Sequence, residues 1–410
     1  MTTAKRPPVK IGLIILAYIA FVALGMPDGL NGVGWPSIRA GFNIPLDALG
    51  MLLFSCTIGY LTSSFVSGKL IGVMSIGGLL AASCGLTGAA LIGYTLVPQW
   101  WMMVGLGIFT GLGAGAIDAG LDVYVAENFS EGLMQWLHAC YGIGITLGPI
   151  IMTMSITNFD SWRLGYQIVG AFQLLLALCF VVTIRSWKHK TSPVDHNGEK
   201  KITEYKTSYR ETFARPEVWM SMLLFALYVG AEFAMGSWAY TLLTQSRGIA
   251  PKVAGFWAGS YYGLFTIGRI LAGLYSKRLS VNTIVQISLA GALTGSLLVL
   301  LNISPVLSLV GVVLIGFSIA PVFPALMSGT SDRVSPKYTA NTIGMQMAAS
   351  GIGGALIPSL VGILARRVNI EIIPLCWIIL FGLMFGLYAL SMRRTSQLRE
   401  QRENETLQAA

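Results

Sequence analysis

Apolar residues fill most of the chain in long stretches, separated by short polar turns or turns that contain Gly and Pro. A helix needs about 20 mainly apolar residues to cross a bilayer, so each stretch is long enough for one transmembrane helix. The pattern therefore predicts twelve spans, at residues 11–35, 46–68, 71–95, 100–126, 132–157, 162–187, 217–243, 252–276, 280–302, 304–330, 337–363 and 369–392. Gly and Pro interruptions make the boundaries around the tenth span the least well defined.

The longest polar interruption, rich in Lys, Glu, Ser and Thr, divides these spans into two groups of six. We therefore expect an N-terminal bundle at 1–187, a cytoplasmic central loop at 188–216, a C-terminal bundle at 217–392 and a cytoplasmic tail at 393–410. The predicted fold class is an all-α membrane protein of two pseudo-symmetric six-helix bundles.

A weak internal repeat relates the two groups of spans. The string "YGIGITLGP" ending at Pro149 resembles "SGIGGALIP" ending at Pro358, an offset of 209 residues, and Tyr18 and Tyr228 match at nearly the same offset. A duplicated six-helix unit explains both matches. Membrane proteins built in this way place their solute site near the bilayer midplane, between the repeats.

The composition excludes an ordinary soluble protein. Of 410 residues, 54% are hydrophobic and 11% are charged, and the mean hydropathy is +0.68; a soluble surface of this size needs more charge. The net charge of +9 does not indicate nucleic-acid binding, because no basic patch interleaved with aromatics lies outside the loops. With both termini cytoplasmic, 20 Lys and Arg residues lie on cytoplasmic segments and 6 on external ones. This asymmetry favours a multi-pass protein of the cell (inner) membrane in that orientation.

The fourth span carries two acids, Asp118 and Asp122, four residues apart and therefore on one helix face. Ionisable groups inside a membrane are costly and mark ion or solute pathways. Like charges so close disfavour joint ionisation, which is a physical basis for proton coupling. The alternatives are a structural ion pair or an interhelical hydrogen bond for Asp118, and a solvated position for Asp122. Small residues on the same face allow close approach of a neighbouring helix: Gly107, Gly111 and Gly115.

His138, in the fifth span, is a further candidate for the proton pathway. Imidazole titrates near neutral pH, and Asp118 or Asp122 on the adjacent helix are natural partners. The alternative role for His138 is a hydrogen bond between packed helices.

Candidate solute-binding groups lie on the first and seventh spans. Asp28 and Asn31 share a face, and we expect Pro27 and Gly29 to break the helix there and free backbone groups for a ligand. Glu232 lies in the middle of the seventh span. Asp28 is also a candidate for proton coupling. The alternatives are a cap of the helix break for Asp28 and a hydrogen bond to unwound backbone for Glu232.

Aromatic and amide side chains suit a sugar, because aromatic faces cover C–H surfaces while amides and carboxylates bind paired hydroxyls. Those expected near the cavity are Trp35, Tyr60, Trp238, Tyr261 and Gln346. Trp and Tyr are also enriched at membrane interfaces, which is the alternative explanation. Arg269, within the eighth span, is expected to form a gating ion pair with Asp332, with solute binding as its alternative.

Several strings resemble the major facilitator superfamily, and within it the fucose permease branch of sugar–proton symporters. They are "GMPDGLNGVGWP", "LHACYGIGITLGP", "YVGAEFAMGSWAY", "GFWAGSYYGLFTIGRILAGLYSKRLS" and "GFSIAPVFPALMSGTSDR". The resemblance implies that the first and seventh spans line a central cavity. The acid of that branch in the fourth span matches Asp118, whereas its acid in the first span falls on Gly32, one turn after Asp28. Asp122 stands where the branch carries an amide, and "GKLIGVMSIGG" lacks the Asp and Arg common elsewhere in the superfamily.

The leading hypothesis is proton-coupled transport of a small polar solute, a monosaccharide or related sugar, by alternating access. The alternative is a proton-coupled antiporter that exports drugs or metabolites, because "GITLGPIIMT" partly matches an antiporter motif. A transport-inactive sensor is disfavoured, since the central loop is short and the buried acids would lack a purpose. No HExxH or GxSxG motif supports an enzyme. We expect a monomer with no cofactor or metal, a proton or alternatively sodium as coupling ion, and the lipid bilayer and a small solute as partners.

Overall fold

The computed structural model describes residues 11–128, 131–187, 207–275, 278–334 and 336–409, and this part of the chain contains helices and turns but no strand. The long helices of the first half are α1 (Ile11–Phe42), α2 (Leu49–Met74), α3 (Ile76–Leu96), α4 (Trp100–Asn128), α5 (Glu131–Phe159) and α6 (Trp162–Thr183). The second half contains α7 (Tyr209–Phe213), α8 (Pro216–Thr241), α9 (Pro251–Tyr275), α10 (Val281–Leu301), α11 (Pro305–Ile319), α12 (Val322–Ser328), α13 (Thr330–Val334), α14 (Pro336–Arg367) and α15 (Ile372–Ala409).

The spanning helices agree with the predicted all-α membrane fold. In the described residues, 11 helical segments are long and apolar enough to cross a membrane. The remaining long helix, α9, has 25 residues, which gives a length of about 37 Å and also suffices to cross the hydrocarbon core. Lys252 and Arg269 lower the hydropathy of α9. The fold therefore accommodates twelve spans.

One predicted detail of the helices is wrong. The helix break expected at Pro27 and Gly29 does not occur, because α1 continues through both Pro27 and Pro36. The last helix, α15, continues without interruption to Ala409 and so includes most of the predicted cytoplasmic tail at 393–410. Residues 188–206 of the predicted central loop lie outside the described residues.

The helix break of this fold lies instead in the tenth span. α11 ends at Ile319 and α12 begins at Val322, with Ala320 and Pro321 in the turn between them. Proline interrupts a helix because it lacks an N–H and its ring clashes with the preceding turn. The break leaves the carbonyl groups of Ile319 and Ala320 available to accept hydrogen bonds from side chains.

Helix packing repeats between the two halves. In the first half α1 packs on α5, α2 on α4 and α3 on α6. In the second half the corresponding pairs are α8 with α14, α9 with α11 and α10 with α15. Each pair in the second set lies six spans after its counterpart in the first, so the packing supports the repeat inferred from the sequence. Between the halves, α5 packs on α9, α2 on α14 and α1 on α8.

Close contacts join the halves at the end of the molecule where α1 meets α2. Arg366 donates to the two carboxylate oxygens of Asp47 at 2.8 and 3.1 Å, and Arg39 donates to Gln245 at 3.3 Å. Nearer the middle, a Cβ on Gly32 would overlap the carbonyl oxygen of Gly236, so glycine allows α1 and α8 to touch. These contacts close this end of the interface between the halves.

A buried ion pair holds the second half together near the same end. Arg247 is 3% exposed and donates to Glu371 at 2.8 and 3.2 Å, to Ser308 at 2.6 Å and to the carbonyl oxygen of Val299 at 2.7 Å. Partial burial acts to raise the carboxyl pKa of Glu371. Hydrogen bonds from Arg247 and Ser246 outweigh that effect and hold the pKa below its usual range.

We expect Glu371→Gln to destabilise the purified protein by about 1–2 kcal/mol, because a buried guanidinium loses a charged acceptor. A carboxyl whose pKa is lowered by folding stabilises the folded state above its ordinary value of about 4.3, and this stabilisation disappears as the pH falls through the lowered value. The Tm difference between the unmodified protein and the variant should therefore be full at neutral pH and shrink in acid. The exposed pair of Glu211 and Lys337 provides the control, since Glu211→Gln should change Tm little. Equal Tm values for Glu371→Gln and the unmodified protein at neutral pH would contradict the assignment.

Candidate functional site

Asp28 projects from the middle of α1 into the space between the halves. Its side chain is exposed although Pro27, Gly29 and Leu30 beside it are buried. The hydroxyl of Tyr141, on α5, donates to Asp28 at 2.8 Å. Asp28 also interacts electrostatically with Asp118 of the first half and with Glu232 of the second. An exposed carboxylate so far from both helix ends indicates a solvent-accessible cavity rather than the outer surface.

Asp118 lies on the face of α4 that packs against α2. The hydroxyl of Tyr60 donates a short hydrogen bond to its carboxylate. The small-residue stripe has the predicted effect, because a Cβ on Gly111 or Gly115 would overlap the backbone of α2 at Cys56 or Tyr60. Asp122 belongs to the same helix, but its side chain lies outside the described residues.

His138 lies on α5 and interacts with residues of both halves. Its ring meets the ring of Phe21 edge-on, with centroids 5.5 Å apart. Electrostatically, His138 interacts with Asp118 of the first half and with Arg269 of the second. The structure therefore brings His138 near Asp118, as the sequence suggested, and adds Arg269 of the second half to this pair.

Glu232, Tyr228 and Arg269 form an interacting cluster in the second half. Glu232 is 7% exposed, and the hydroxyl of Tyr228 contacts both its carboxyl group and the guanidinium of Arg269. Tyr228 donates to the carbonyl oxygen of Ile319 at 3.2 Å, and Arg269 donates to that of Ala320 at 3.3 Å. The two carbonyl groups freed by the break in the tenth span thus position both side chains.

Arg269 was expected to pair with Asp332. Its guanidinium carbon lies 4.2 Å from the ring centre of Phe265, and its Nε donates to the carbonyl oxygen of Ala320. It also interacts electrostatically with Tyr228, Glu232, Tyr141 and His138. Asp332 is exposed on α13. The gating pair stays a prediction, while the described contacts place Arg269 beside Glu232.

Most of the aromatic and amide side chains that were predicted to contact a solute form hydrogen bonds with other parts of the protein. Trp35 and Trp238 are fully buried, and their indole N–H groups donate to the carbonyl oxygens of Leu46 at 2.9 Å and Pro358 at 2.8 Å. Gln346 is also fully buried and donates to Ser221 at 2.6 Å. These three side chains brace helices, and their contact with a solute stays a prediction.

The other predicted side chains lie nearer the acids. Asn31 accepts a hydrogen bond from the hydroxyl of Tyr166 at 2.7 Å. Tyr261 is 1% exposed and donates to the backbone oxygen of Glu232 at 3.3 Å. Tyr60, described above, binds Asp118. These residues support the groups of the cavity directly.

Two tyrosines of the site were missed from the sequence. Tyr141 binds Asp28 and interacts electrostatically with Glu232, and Tyr262 interacts electrostatically with both acids. Tyr141 is the first residue of the repeated string "YGIGITLGP" and lies one turn after His138, which could have identified it. The sequence around Tyr262 contains no feature that distinguishes this residue from the tyrosines expected at the membrane interface.

In the part of the chain that the structure describes, twelve helices long enough to span a membrane, in two groups that repeat their packing, are typical of a membrane transporter. The family model for the Major Facilitator Superfamily matches residues 17–358. The chain belongs to this superfamily. This membership confirms the predicted family and supports a transporter rather than an enzyme.

Three curated relatives extend the comparison. The chain is 25% identical over 407 residues to "Bypass of stop codon protein 6" of Saccharomyces cerevisiae, covering 92% of this chain and 82% of the relative. It is 23% identical to the glucose/mannose transporter GlcP of Bacillus subtilis, with 86% and 87% covered. It is 25% identical to the human sodium-dependent glucose transporter 1, with 85% and 72% covered.

Solved structures share the fold. A D-xylose-proton symporter superposes with a TM-score of 0.69 at 13% identity, covering 92% of this chain and 97% of that one. The transporter FucP, solved in an outward conformation, superposes with a TM-score of 0.60 at 15% identity, covering 92% and 98%. These likenesses concern the fold.

The exposed position of Asp28 generates a labelling prediction. In a variant whose five native cysteines are replaced, Asp28→Cys should react with a water-soluble methanethiosulfonate reagent, because the side chain faces water. Leu30→Cys is the control, since Leu30 is 0% exposed two residues further along the same helix. Labelling of Asp28→Cys no faster than that of Leu30→Cys would show that the cavity does not reach Asp28.

Proposed function

We propose that this protein is a secondary active transporter that takes up a monosaccharide, driven by protons, by alternating access. The observation that carries this proposal is that Asp28 from the first half and Glu232 from the second lie close enough to interact electrostatically across the interface. A solute bound between them contacts both halves at once. Its release at either side then requires the halves to rock, which is the expected behaviour of a two-repeat transporter.

The chemistry of the cavity suits a hexose. Carboxylates accept hydrogen bonds from paired hydroxyls, and the hydroxyls of Tyr141 and Tyr262 add groups that both donate and accept. Relatives named as glucose or glucose/mannose transporters support the same solute class. We therefore infer glucose or mannose as the first solutes to test.

A proton is the coupling ion that the arrangement favours. Asp118 accepts a hydrogen bond from the hydroxyl of Tyr60 and interacts electrostatically with His138. An imidazole can both accept and release a proton. A proton that moves down a potential of 100 mV supplies about 2.3 kcal/mol, which corresponds to roughly fiftyfold accumulation. Sodium is the alternative, because a carboxylate binds either ion and one set of relatives is named sodium-dependent.

The proposed orientation places both termini in the cytoplasm of the cell, at its inner membrane, with bundles at 1–187 and 217–392. The end closed by Asp47 with Arg366 and by Arg39 with Gln245 then faces outward. The conformation described here would open toward the cytoplasm. Export of a drug or metabolite uses the same fold and is retained as an outcome of the test.

The test uses purified protein in proteoliposomes. Glucose, mannose and related sugars are first screened for thermal stabilisation, and stabilising sugars are then tested for uptake under an inward pH gradient, an inward sodium gradient or neither. Uphill uptake driven by the pH gradient is the expected result. Uptake driven by the sodium gradient alone would show that sodium, rather than a proton, is the coupling ion. Efflux of sugar against its gradient, with no uptake, would favour export.

Asp118→Asn tests the coupling role. We expect this variant to lose uphill sugar accumulation at least tenfold (about 1.4 kcal/mol) while counterflow exchange continues, because the solute site is intact but the proton group is gone. Asp160→Asn is the matched control, since Asp160 is an exposed residue in the turn after α5 and its positive φ of 48° is one that Asn adopts readily. Undiminished uphill accumulation by Asp118→Asn would contradict the coupling assignment.

A further inference from the structure

The structure assigns Arg269 as the positioning residue that links the ion-coupling groups of the first half to the solute-binding Glu232 of the second. This inference rests on the function proposed above. Neither Asp118 nor Glu232 contacts the other in the described structure, so a coupled transporter needs a group between them. Arg269 and His138 occupy that place.

The two helices that carry these residues pack directly on each other across the interface. A Cβ on Gly142 of α5 would overlap the side chain of Thr266 on α9. With the two helices antiparallel, one turn from this contact brings His138 on α5 and Arg269 on α9 to the same level. Their electrostatic interaction agrees with this placement.

Several contacts hold the guanidinium of Arg269 in position. Its guanidinium stacks over Phe265 at 4.2 Å, and its Nε donates to the carbonyl oxygen of Ala320 at 3.3 Å. The Tyr228 hydroxyl contacts both the guanidinium and Glu232. The cation therefore sits at a fixed point beside the acid, where it favours the ionised carboxylate.

The consequence is a coupling between two sites in different halves. A proton taken up by the pair of Asp118 and His138 cancels the negative charge that had attracted Arg269. When the proton resides on the imidazole, it also places a positive charge opposite the guanidinium, and like charges repel strongly in a low-dielectric interior. Arg269 then moves relative to Glu232 or the halves separate at this level, and either change alters the solute site. The charged and titratable groups that face this pair are Asp118 on α4, Tyr141 on α5, and Tyr228 and Glu232 on α8.

By linkage, the solute must affect the ion site as much as the ion affects the solute site. The glucose Kd of the unmodified protein is therefore expected to change by about fivefold or more between about pH 5.5 and pH 8, the range in which histidine titrates. Arg269→Gln removes the link. Whatever the strength of sugar binding by this variant, its Kd should no longer follow pH, and uphill accumulation should fall more than counterflow.

The experiment measures the glucose Kd across this pH range, counterflow and uphill uptake for five proteins: the unmodified protein, Arg269→Gln, Arg269→Lys, His138→Gln and the double variant that combines Arg269→Gln with His138→Gln. Arg269→Lys keeps the charge and should recover part of the pH dependence, which a merely structural role would not produce. His138→Gln should flatten the profile like Arg269→Gln, and combining both changes should add little, as expected for residues acting on one path. If Arg269→Gln fails to fold, the Arg269→Lys and His138→Gln profiles decide the result.

Separate outcomes overturn the two proposals. Absence of any ion-driven sugar uptake by the unmodified protein overturns the proposed function and this inference with it. Normal ion-driven uptake by the unmodified protein, together with an unchanged pH profile and uphill accumulation in Arg269→Gln or His138→Gln, overturns this inference alone.

Discussion

The cost of placing carboxylates in the middle of a membrane is the constraint on which the rest of this structure depends. A charge in hydrocarbon is costly, so each acid needs water or a partner within the protein. Asp28 has Tyr141, Asp118 has Tyr60, and Glu232 has Tyr228 beside Arg269. Tyrosine hydroxyls stabilise both protonated and ionised carboxyl groups, because they donate and accept. Such partners therefore keep the acids in place without fixing their charge.

The second half meets this constraint by breaking a helix, whereas the first half does not. Pro321 interrupts the tenth span, and the freed carbonyl groups of Ile319 and Ala320 accept from Tyr228 and Arg269. In the first half α1 stays intact through Pro27, and glycines bring α5 close instead: a Cβ on Gly29 would overlap the backbone of Ile145. The duplicated bundles thus share their packing but differ in how they hold polar groups. Arg269 thus belongs to the second half, whereas Asp118 and His138 belong to the first.

The spans, the repeat and the choice of Asp28, Asp118 and Glu232 as candidate residues follow from the sequence, because hydropathy and helical periodicity are local properties. The partners of these acids depend on how helices rotate and meet, which no local pattern contains. Trp35 illustrates the difference, since its position suited a cavity but its indole N–H donates to Leu46. The effect of a proline was also uncertain, because Pro27 is accommodated in α1 while Pro321 ends α11. Neighbouring helices decide whether a proline breaks a span.

An experimental structure of the protein in lipid nanodiscs, at a resolution that shows waters and acyl chains, is the most direct test of the central claim. The account predicts ordered water, or bound sugar when glucose is present, between Asp28 and Glu232, with Asp118 in contact with Tyr60 and no acyl chain against any of these carboxyl groups. Acyl-chain density beside Asp28, Asp118 or Glu232, or carboxyl groups that open to separate cavities, would contradict it.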